Sequence, residues 1–416
     1  MKTTKILVAG LLLMGAMQVN AQTVQATGAT GYGLQNGAYM VGGATGPYPA
    51  AGTYIGYRAG YSVNISKAID NTFVGNSAGY SNTLGDSNTF LGTSAGYSNI
   101  IGANNVYVGR SAGGYATGSG NTFTGDQAGA GVANSANNNT FYGYVSGRKN
   151  TTGTANVFMG YLSGYENTEG AYNIFVGSSS GGNNTVGYGN TFVGHGTGAL
   201  NINGAGNTLI GFQAGYSITG GNNTILGSGA GNSATGSGNV FVGYNAGLNA
   251  TGNDKLYIAN GGTPTPMIFG DFATSKVGIG GMSNFPTTAG SVNVSAYKLF
   301  VKGGILTEEV RVALSTNNGW ADYVFANDYK LRSLPELEQY INTNGHLPNV
   351  PTAKQVKEDG IEVGQMANIH QEKIEELTLY AIAQNKQIEA QKSQLEQQQK
   401  EIDQLKAAVE TLMNKK

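Results

Sequence analysis

The chain has 416 residues, of which 67 are Gly and 11 % are charged, and its net charge is −1. This near-neutral balance gives no electrostatic basis for binding nucleic acid or an anionic membrane. The absence of Cys excludes disulfides, thiol chemistry and a lipid anchor attached to cysteine.

The N-terminus has the pattern of an export signal. Lys2 and Lys5 precede an apolar run from Ile6 to Met14, and Val19-Asn20-Ala21 forms a small-residue cleavage site. We therefore predict a signal peptide over residues 1–21, a leader over 22–51, and a mature protein that is extracellular or at the outer cell surface. The mature chain is predicted to have no transmembrane segment, because no later stretch is long and apolar enough.

A repeat with a period of about 17 residues follows the leader. One copy reads Asn71-Thr72-Phe73-Val74-Gly75-Asn76-Ser77-Ala78-Gly79, and a weaker first copy begins at Gly52. Such self-similarity is typical of stacked coils. The repeats begin at Asn71, Asn88, Asn105, Asn121, Asn139, Asn156, Asn173, Asn190, Asn207, Asn223 and Asn239.

Each repeat predicts a short strand with apolar side chains on both faces. Alternation along a strand places Phe73 on one face and Thr72 and Val74 on the other. The remaining residues favour turns, so two strands and two turns are expected per repeat. The second apolar face then needs a neighbouring identical chain, or a wider single-chain solenoid. The predicted repeat core consists of Phe73, Val74, Phe90, Leu91, Phe141, Phe158, Phe175, Val176, Phe192, Val193, Phe241 and Val242.

Two features of the repeats allow alternative interpretations. The recurrent Asn is expected to serve turn chemistry, with ladders between coils as the alternative. Tyr often follows the Ala-Gly pair, as in Tyr61, Tyr80, Tyr97 and Tyr216. These rings either pack inward, which we expect, or form an outer ribbon suited to sugar or protein surfaces.

Residues 253–297 predict a β connector, with short strands near 255–260, 267–271 and 276–280 and another at 298–304. Residues 298–362 predict a small α+β module that contains Trp320, a short helix near Leu334 to Ile341, and an extended segment fixed by Pro348 and Pro351. The full fold prediction is mainly β: a parallel β-roll or solenoid head of about twelve repeats over 52–252, this connector and module, and a C-terminal coiled coil.

Residues 363–416 predict a parallel coiled coil, because apolar residues recur at heptad spacing. Gln384, Gln391 and Gln398 form a polar part of the seam, and Glu401 faces Lys406 of a parallel neighbour. Parallel helices and an in-register stack of heads both require identical chains aligned side by side, and we predict a fibrous homotrimer. The predicted trimer seam consists of Ile374, Leu377, Ile388, Leu395, Ile402, Leu405, Val409 and Leu412.

Two family resemblances rest on these motifs. The Asn-Thr-Phe-Val-Gly-x-x-Ala-Gly repeats resemble the head repeats of trimeric autotransporter adhesins, which implies left-handed parallel β-rolls assembled in threes. The segment from Leu299 to the end resembles the C-terminal module of Bacteroidetes tail-fibre-domain proteins, distantly similar to the endosialidase-type intramolecular chaperone. Its markers are residues 320–325, 329–331, 346–351 and 375–380.

The chain departs from both families. Autotransporter adhesins end in a membrane β-barrel segment, whereas this sequence ends directly after the predicted helix. The chaperone family cleaves itself with a Ser followed by Asp, and here Ala321-Asp322 occupies that place. The resemblance therefore implies a module that stays attached as a trimerisation clamp.

The titratable residues show no catalytic or metal-binding spacing. Asp70, Asp86, Asp126, Glu166 and Glu169 occupy different places in the period. His195, His346 and His370 lack a metal-spaced partner, and Ser315 and Lys330 are more simply a loop Ser and a solvated Lys.

We therefore predict an exported, non-enzymatic surface protein without a cofactor. Its expected role is that of an adhesin or tail-fibre-like protein that binds a glycan, matrix or cell-surface ligand, and it does not bind nucleic acid. The alternatives are a tail-spike-like polysaccharide hydrolase, which needs only two carboxylates, and an ice- or mineral-binding solenoid that uses rows of Thr.

Overall fold

The computed structural model describes residues 52–64, 67–131, 134–313 and 320–414. It contains two compact units, one that ends at Phe285 and includes Lys298–Gly303, and one made of Pro286–Tyr297 and the chain from Gly304 onward. The predicted signal peptide and leader, residues 1–51, lie outside the described residues.

The first unit is a β-solenoid of about twelve rungs, where a rung is one repeat of the sequence. Its strands form one parallel sheet in sequence order, and Phe73 pairs in register with Phe90. The repeat prediction is confirmed at this level. The rung strands are β1 Gly52–Ile55, β2 Asn71–Val74, β3 Thr89–Leu91, β4 Val106–Val108, β5 Thr122–Thr124, β6 Thr140–Tyr142, β7 Val157–Met159, β8 Ile174–Val176, β9 Thr191–Val193, β10 Thr208–Ile210, β11 Thr224–Leu226 and β12 Val240–Val242.

The core of the solenoid is a column of stacked rings. The central residue of each strand points inward and is fully buried in most rungs. Phe73 and Phe90 have ring centroids 4.7 Å apart with planes at 7°. This separation equals the usual distance between neighbouring strands, so the sheet itself sets the stacking. Leu209 and Ile225 continue the column between Phe192 and Phe241.

The structure corrects two details of the predicted repeat. Each rung has one strand, not two, because bends and turns occupy the residues between consecutive strands. The rings are also enclosed by their own chain and need no neighbour to cover them.

The aliphatic half of the predicted core is placed on the outside. Leu91 is 47 % exposed, because strand alternation turns it away from the buried Phe90. The other predicted core residues of this kind are only partly buried: Val74, Val176, Val193 and Val242.

The recurrent Asn residues form an internal ladder, which was the alternative interpretation. The Asn156 Oδ1 accepts a hydrogen bond from the Asn173 backbone N–H at 2.9 Å, and its Nδ2 donates to the Gly170 carbonyl at 2.8 Å. Asn156 is completely buried, as are its counterparts in most rungs. The ladder therefore supplies partners for backbone groups that the narrow core would otherwise leave unsatisfied.

Two Gly positions per rung are required by the backbone. Gly92, at the corner after β3, has φ 138°, and a Cβ there would lie 2.4 Å from the Gly109 carbonyl oxygen. Gly96 has φ 59°, and a Cβ there would lie 2.4 Å from Cε2 of Phe90. The first Gly lets adjacent rungs approach, and the second makes room for the ring.

The connector strands are confirmed. Strand β13 (Lys255–Ile258) continues the parallel sheet from β12, and β14 (Ile268–Asp271) and β15 (Lys276–Ile279) then add antiparallel pairs. The Lys255 ammonium is 2.8 Å from an Asp271 carboxylate oxygen. Strand β18 (Leu299–Val301) pairs with β15 and so belongs to the first unit, whereas the sequence prediction placed it in the module that follows.

The second unit contains a small hairpin and a helical region. The hairpin is β16 (Thr288–Ala289) with β17 (Val292–Asn293), and a short 3-10 helix spans Ala321–Phe325. The predicted short helix is confirmed as α1, which has a Ser333–Glu336 capping box. The α-helices of this unit are α1 Leu334–Asn344, α2 Ala353–Asp359 and α3 Val363–Met413.

Replacing a ladder residue is expected to destabilise the solenoid. Asn156→Ala leaves the buried Asn173 N–H without its acceptor and removes one of the two side-chain hydrogen bonds to the Gly170 carbonyl, which keeps its bond from Asn167. We expect a loss of about 2 kcal/mol in the free energy of unfolding. Urea denaturation followed by circular dichroism measures this change. The exposed Asn203→Ala is the matched control, with an expected change below about 0.5 kcal/mol. Equal losses in the two variants would contradict the role of the ladder.

Candidate functional site

The outer face of the strands is a continuous, largely apolar surface. In each rung strand, the residue before the buried central residue is Thr, Val or Ile, and the residue after it is mostly aliphatic. Leu226, for example, is 49 % exposed. Extended apolar surfaces of this kind are typical of interaction sites. The exposed strand residues include Leu91, Val106, Tyr142, Met159, Ile174, Ile210 and Leu226.

The Tyr residues after the Ala-Gly pair lie outside the ring core and are partly buried at Tyr80, Tyr97 and Tyr216, so the expected inward packing is wrong. Tyr61 is 65 % exposed. It stacks on Tyr80 with a centroid distance of 5.0 Å, and Tyr80 stacks on Tyr97 at 4.9 Å. Because stacked rings cover one another's faces, this column presents ring edges and hydroxyl groups to solvent.

A second set of exposed rings follows the corner Gly of the later rungs. We call it the outer aromatic row and define it as Tyr144, Tyr161, His195, Phe212 and Tyr244. Tyr144 stacks on Tyr161 at 5.8 Å, and His195 stacks on Phe212 at 5.4 Å. Sequence reasoning missed this row, although aligning the residue after the first Gly of each repeat would have found it.

Backbone hydrogen bonds hold the row in register. In each rung, the residue after a row position donates its N–H to the carbonyl of the row position one rung earlier. The Ser179 N–H donates to the Tyr161 carbonyl at 2.8 Å, and the Gly196 N–H donates to the Ser178 carbonyl at 2.9 Å. The row is therefore a continuous line in which Ser178 and Ser228 stand between aromatic residues.

Two of the scattered acidic residues of the solenoid form ion pairs with basic residues. Asp126 forms an ion pair with Arg110 at 2.8 Å, and Glu166 forms one with Lys149 at 2.7 Å. Both pairs link adjacent rungs at the surface, where such contacts contribute little to stability.

The His residues and the proposed Ser-Lys pair also remain separate. His195 lies against Phe212, and His346 packs edge-on to Tyr340. His370 is exposed on α3, and Ser315 lies outside the described residues. Among the residues that the structure describes, no group of three His, Cys, Asp or Glu is arranged to hold a metal ion.

A carboxylate cluster in the second unit was missed by sequence reasoning. Glu372, Glu375 and Glu376 lie on one face of α3, and Glu372 and Glu375 are each only 5 % exposed. The Tyr323 hydroxyl donates to Glu372 at 2.5 Å, and the Lys373 ammonium lies 2.6 Å from the same carboxylate. The cluster fastens the short 3-10 helix to α3.

Hydrogen bonding within this cluster shifts its pKa values. Burial opposes ionisation of Glu372, but hydrogen bonds from Lys373, Tyr323 and Asn349 hold the pKa of its carboxyl below the ordinary value of 4.5. Burial, together with the neighbouring Glu372 carboxylate, raises the pKa of Tyr323 to about 12. Both shifts favour an ionised Glu372 that accepts a hydrogen bond from a neutral Tyr323. This hydrogen bond connects the 3-10 helix to α3.

An open groove of roughly 550 Å³ lies beside the hairpin of the second unit. Its lining includes Tyr297, His346, Asp359, Glu362 and Met366. Asp359 already accepts hydrogen bonds from the Ser291 backbone N–H and hydroxyl, so it holds the hairpin and is not poised for acid–base work.

The predicted seam residues all lie on α3 and are exposed in the single chain. Ile388 is 51 % exposed and Leu405 is 65 % exposed, and every described residue from Ala381 to Asn414 is exposed. Within the described residues, no helix combines the length and apolar character needed to cross a membrane.

Removing the Tyr323 hydroxyl is expected to weaken the second unit. Tyr323→Phe deletes a hydrogen bond to a buried carboxylate, and we expect a loss of about 2 kcal/mol in the free energy of unfolding. Denaturant unfolding monitored by helical circular dichroism measures it. Tyr297→Phe is the control, because Tyr297 is 48 % exposed. A loss in Tyr297→Phe as large as in Tyr323→Phe would contradict the assignment.

Acid is expected to destabilise the same unit. Because the folded-state pKa of Glu372 is lowered, its contribution is complete above the ordinary value of 4.5 and is lost as the pH falls through the lowered value. Thermal melts between neutral pH and about pH 3 should show a falling midpoint. In Glu372→Gln the dependence should be weaker, and an unchanged dependence would locate the titrating group elsewhere.

Comparison with known proteins adds no further identification. No family model, curated protein or solved structure matches this chain. The fold is therefore assigned from the solenoid seen in the structure, and the function is proposed from the surfaces described above.

Proposed function

We propose that this protein is an exported, non-enzymatic fibrous protein that acts as an adhesin or tail-fibre-like binding protein at the cell surface. The observation that carries the proposal is the repetitive outer surface of the solenoid, where the same side-chain positions recur in register on every rung. A surface of this kind binds by repetition of weak contacts, since linked sites gain avidity.

The long helix supports assembly into a homotrimer. Helix α3 has 51 residues, and its distal part is exposed on all sides. An isolated helix with an exposed apolar seam lacks the packing that normally stabilises it, and a coiled coil supplies that packing. Glu401 and Lys406 are spaced to pair between parallel helices, which favours parallel chains.

The strand face supports the same assembly. Its exposed aliphatic residues need no cover to form the solenoid core, which the chain closes by itself. They do form an apolar surface that neighbouring heads in a trimer would bury. The resemblance of the repeats to autotransporter heads, and of the C-terminal segment to tail-fibre modules, supports this arrangement and the export of the protein.

The rival functions have weaker support. A polysaccharide hydrolase needs two carboxylates on either side of a scissile bond. Of the five acidic residues between Asp70 and Glu169, Asp126 and Glu166 are already engaged in ion pairs. An ice- or mineral-binding face needs unbroken rows of Thr. The outward Thr row is interrupted by Val106, Val157 and Ile174.

The trimer is tested by its mass in solution. Light scattering should give three times the chain mass for the mature protein, and Leu405→Asp/Leu412→Asp should dissociate the helices, because two charges enter the apolar seam. Gln404→Asp/Thr411→Asp adds the same charges on the same turns but outside the seam, and it should leave the mass unchanged. A monomeric wild type, or an unaffected seam variant, would overturn the proposed assembly.

The binding role is tested separately by adhesion of protein-coated beads to glycan, matrix and cell surfaces. Retention on at least one of these surfaces is expected. Turnover of a polysaccharide that an Asp or Glu substitution abolishes would favour the hydrolase instead.

A further inference from the structure

The outer aromatic row contains two places where a ring is missing. Ser178 separates Tyr161 from His195, and Ser228 separates Phe212 from Tyr244. The Gln213 N–H donates to the His195 carbonyl at 2.9 Å and the Asn245 N–H donates to the Ser228 carbonyl at 2.9 Å, so the line continues through these gaps.

A gap in the outer aromatic row differs from a gap in an ordinary surface, because the backbone hydrogen bonds between rungs keep the residues on either side in register. Neighbouring strands are about 4.8 Å apart, so rings separated by one rung are about 9.6 Å apart. A ring inserted between them would lie about 4.8 Å from each neighbour, within the range for stacked rings. Neighbouring rings of the outer row are somewhat farther apart than the strands, at 5.8 Å for Tyr144 and Tyr161 and 5.4 Å for His195 and Phe212, and these distances are still within the range for stacked rings.

The walls of both gaps are accessible. Tyr161 is 52 % exposed, Phe212 is 53 % exposed and Tyr244 is 56 % exposed. His195 and Ser228 are exposed as well, and Ser178 is half-buried. We call each gap, in which a Ser stands between exposed aromatic residues of the two neighbouring rungs, a slot.

The sequence around the two gaps lacks acidic and basic side chains of the Asp, Glu, Lys and Arg types. The sequence from Ala171 to Asn253 contains no Asp, Glu, Lys or Arg. The neighbouring side chains include Gln213 and Asn245, whose amides donate and accept hydrogen bonds without charge. Such a surface complements a neutral ligand that combines a ring with hydroxyl groups, and it offers nothing to an anionic polymer.

We propose that the Ser178 and Ser228 slots each bind one saccharide ring of a neutral, branched polysaccharide. The apolar faces of the ring stack on the flanking side chains, and its hydroxyls bond to the Ser hydroxyl and the nearby amides. A single-sugar branch can enter a slot edge-on while the main chain runs outside. Two slots in one line let a polymer engage both, which raises the avidity. This inference rests on the proposed binding role and names its ligand.

The test uses the full mature chain and galactomannan, a neutral polysaccharide with single-sugar branches. Affinity electrophoresis in gels that contain galactomannan should retard the wild type. Ser178→Tyr/Ser228→Tyr fills both slots with the residue that occupies the same position of other rungs, so the fold should tolerate it. Binding is expected to weaken at least about tenfold, because both contacts are lost together.

The matched control is Asn76→Tyr, which adds a ring at the same position of an earlier rung that has no slot. It should bind like the wild type. Tyr161→Ala/Phe212→Ala removes one wall of each slot and should also weaken binding, with thermal melts confirming that each variant is folded.

Several results would overturn the inference. If the filled variant binds as tightly as the wild type or more tightly, the rings act as an open platform and not as slots. Absence of retardation by galactomannan, or a preference for anionic alginate, would also reject a neutral branched ligand. Either failure leaves the trimer mass and bead adhesion untouched, so it is distinguishable from failure of the proposed function.

Discussion

The solenoid depends on the Asn ladder that runs through its interior. A rung of about 17 residues encloses too little space for a second layer of side chains, so its buried backbone groups need polar partners from within. The Asn88 backbone N–H donates to the Asn71 Oδ1 at 2.9 Å, and Asn71 Nδ2 donates to the Gly85 carbonyl at 2.8 Å. Asn carries its acceptor oxygen and its donor nitrogen on separate atoms without charge, so one side chain can bond a backbone N–H and a backbone carbonyl at the same time.

The ladder and the ring column act together on register. Each Asn fixes the height of the next strand, and each ring rests on the ring below it. A displaced rung would lose both contacts, so the outward positions are as regular as the buried ones. Because of this regularity, Tyr61, Tyr80 and Tyr97 stack on one another outside the core.

The two units differ in how far they bury their own apolar side chains. The solenoid closes its own core, with Phe158 fully buried in the single chain. In the second unit, the contacts of α3 within its own chain are concentrated near its start, around Glu372 and Glu375, and its later residues are exposed. The later part of the helix therefore has no cover from its own chain among the described residues, whereas the solenoid covers its own core.

The sequence by itself determined the repeat, the strand that contains its central apolar residue, the connector strands, the short helix near Leu334 and the long C-terminal helix, because each follows from local periodicity and turn residues. The second strand predicted for each repeat is not formed, and α2 was not predicted. It also identified Phe73 as core. Only the tertiary structure decided that Leu91 lies outside, that Tyr61 is a surface residue, and that Tyr323 meets Glu372 from far along the chain. Alternation along a strand defines two faces but does not show which of them points into the core. That choice depends on how a whole rung folds around its ring and its Asn, and no short stretch of sequence contains this information.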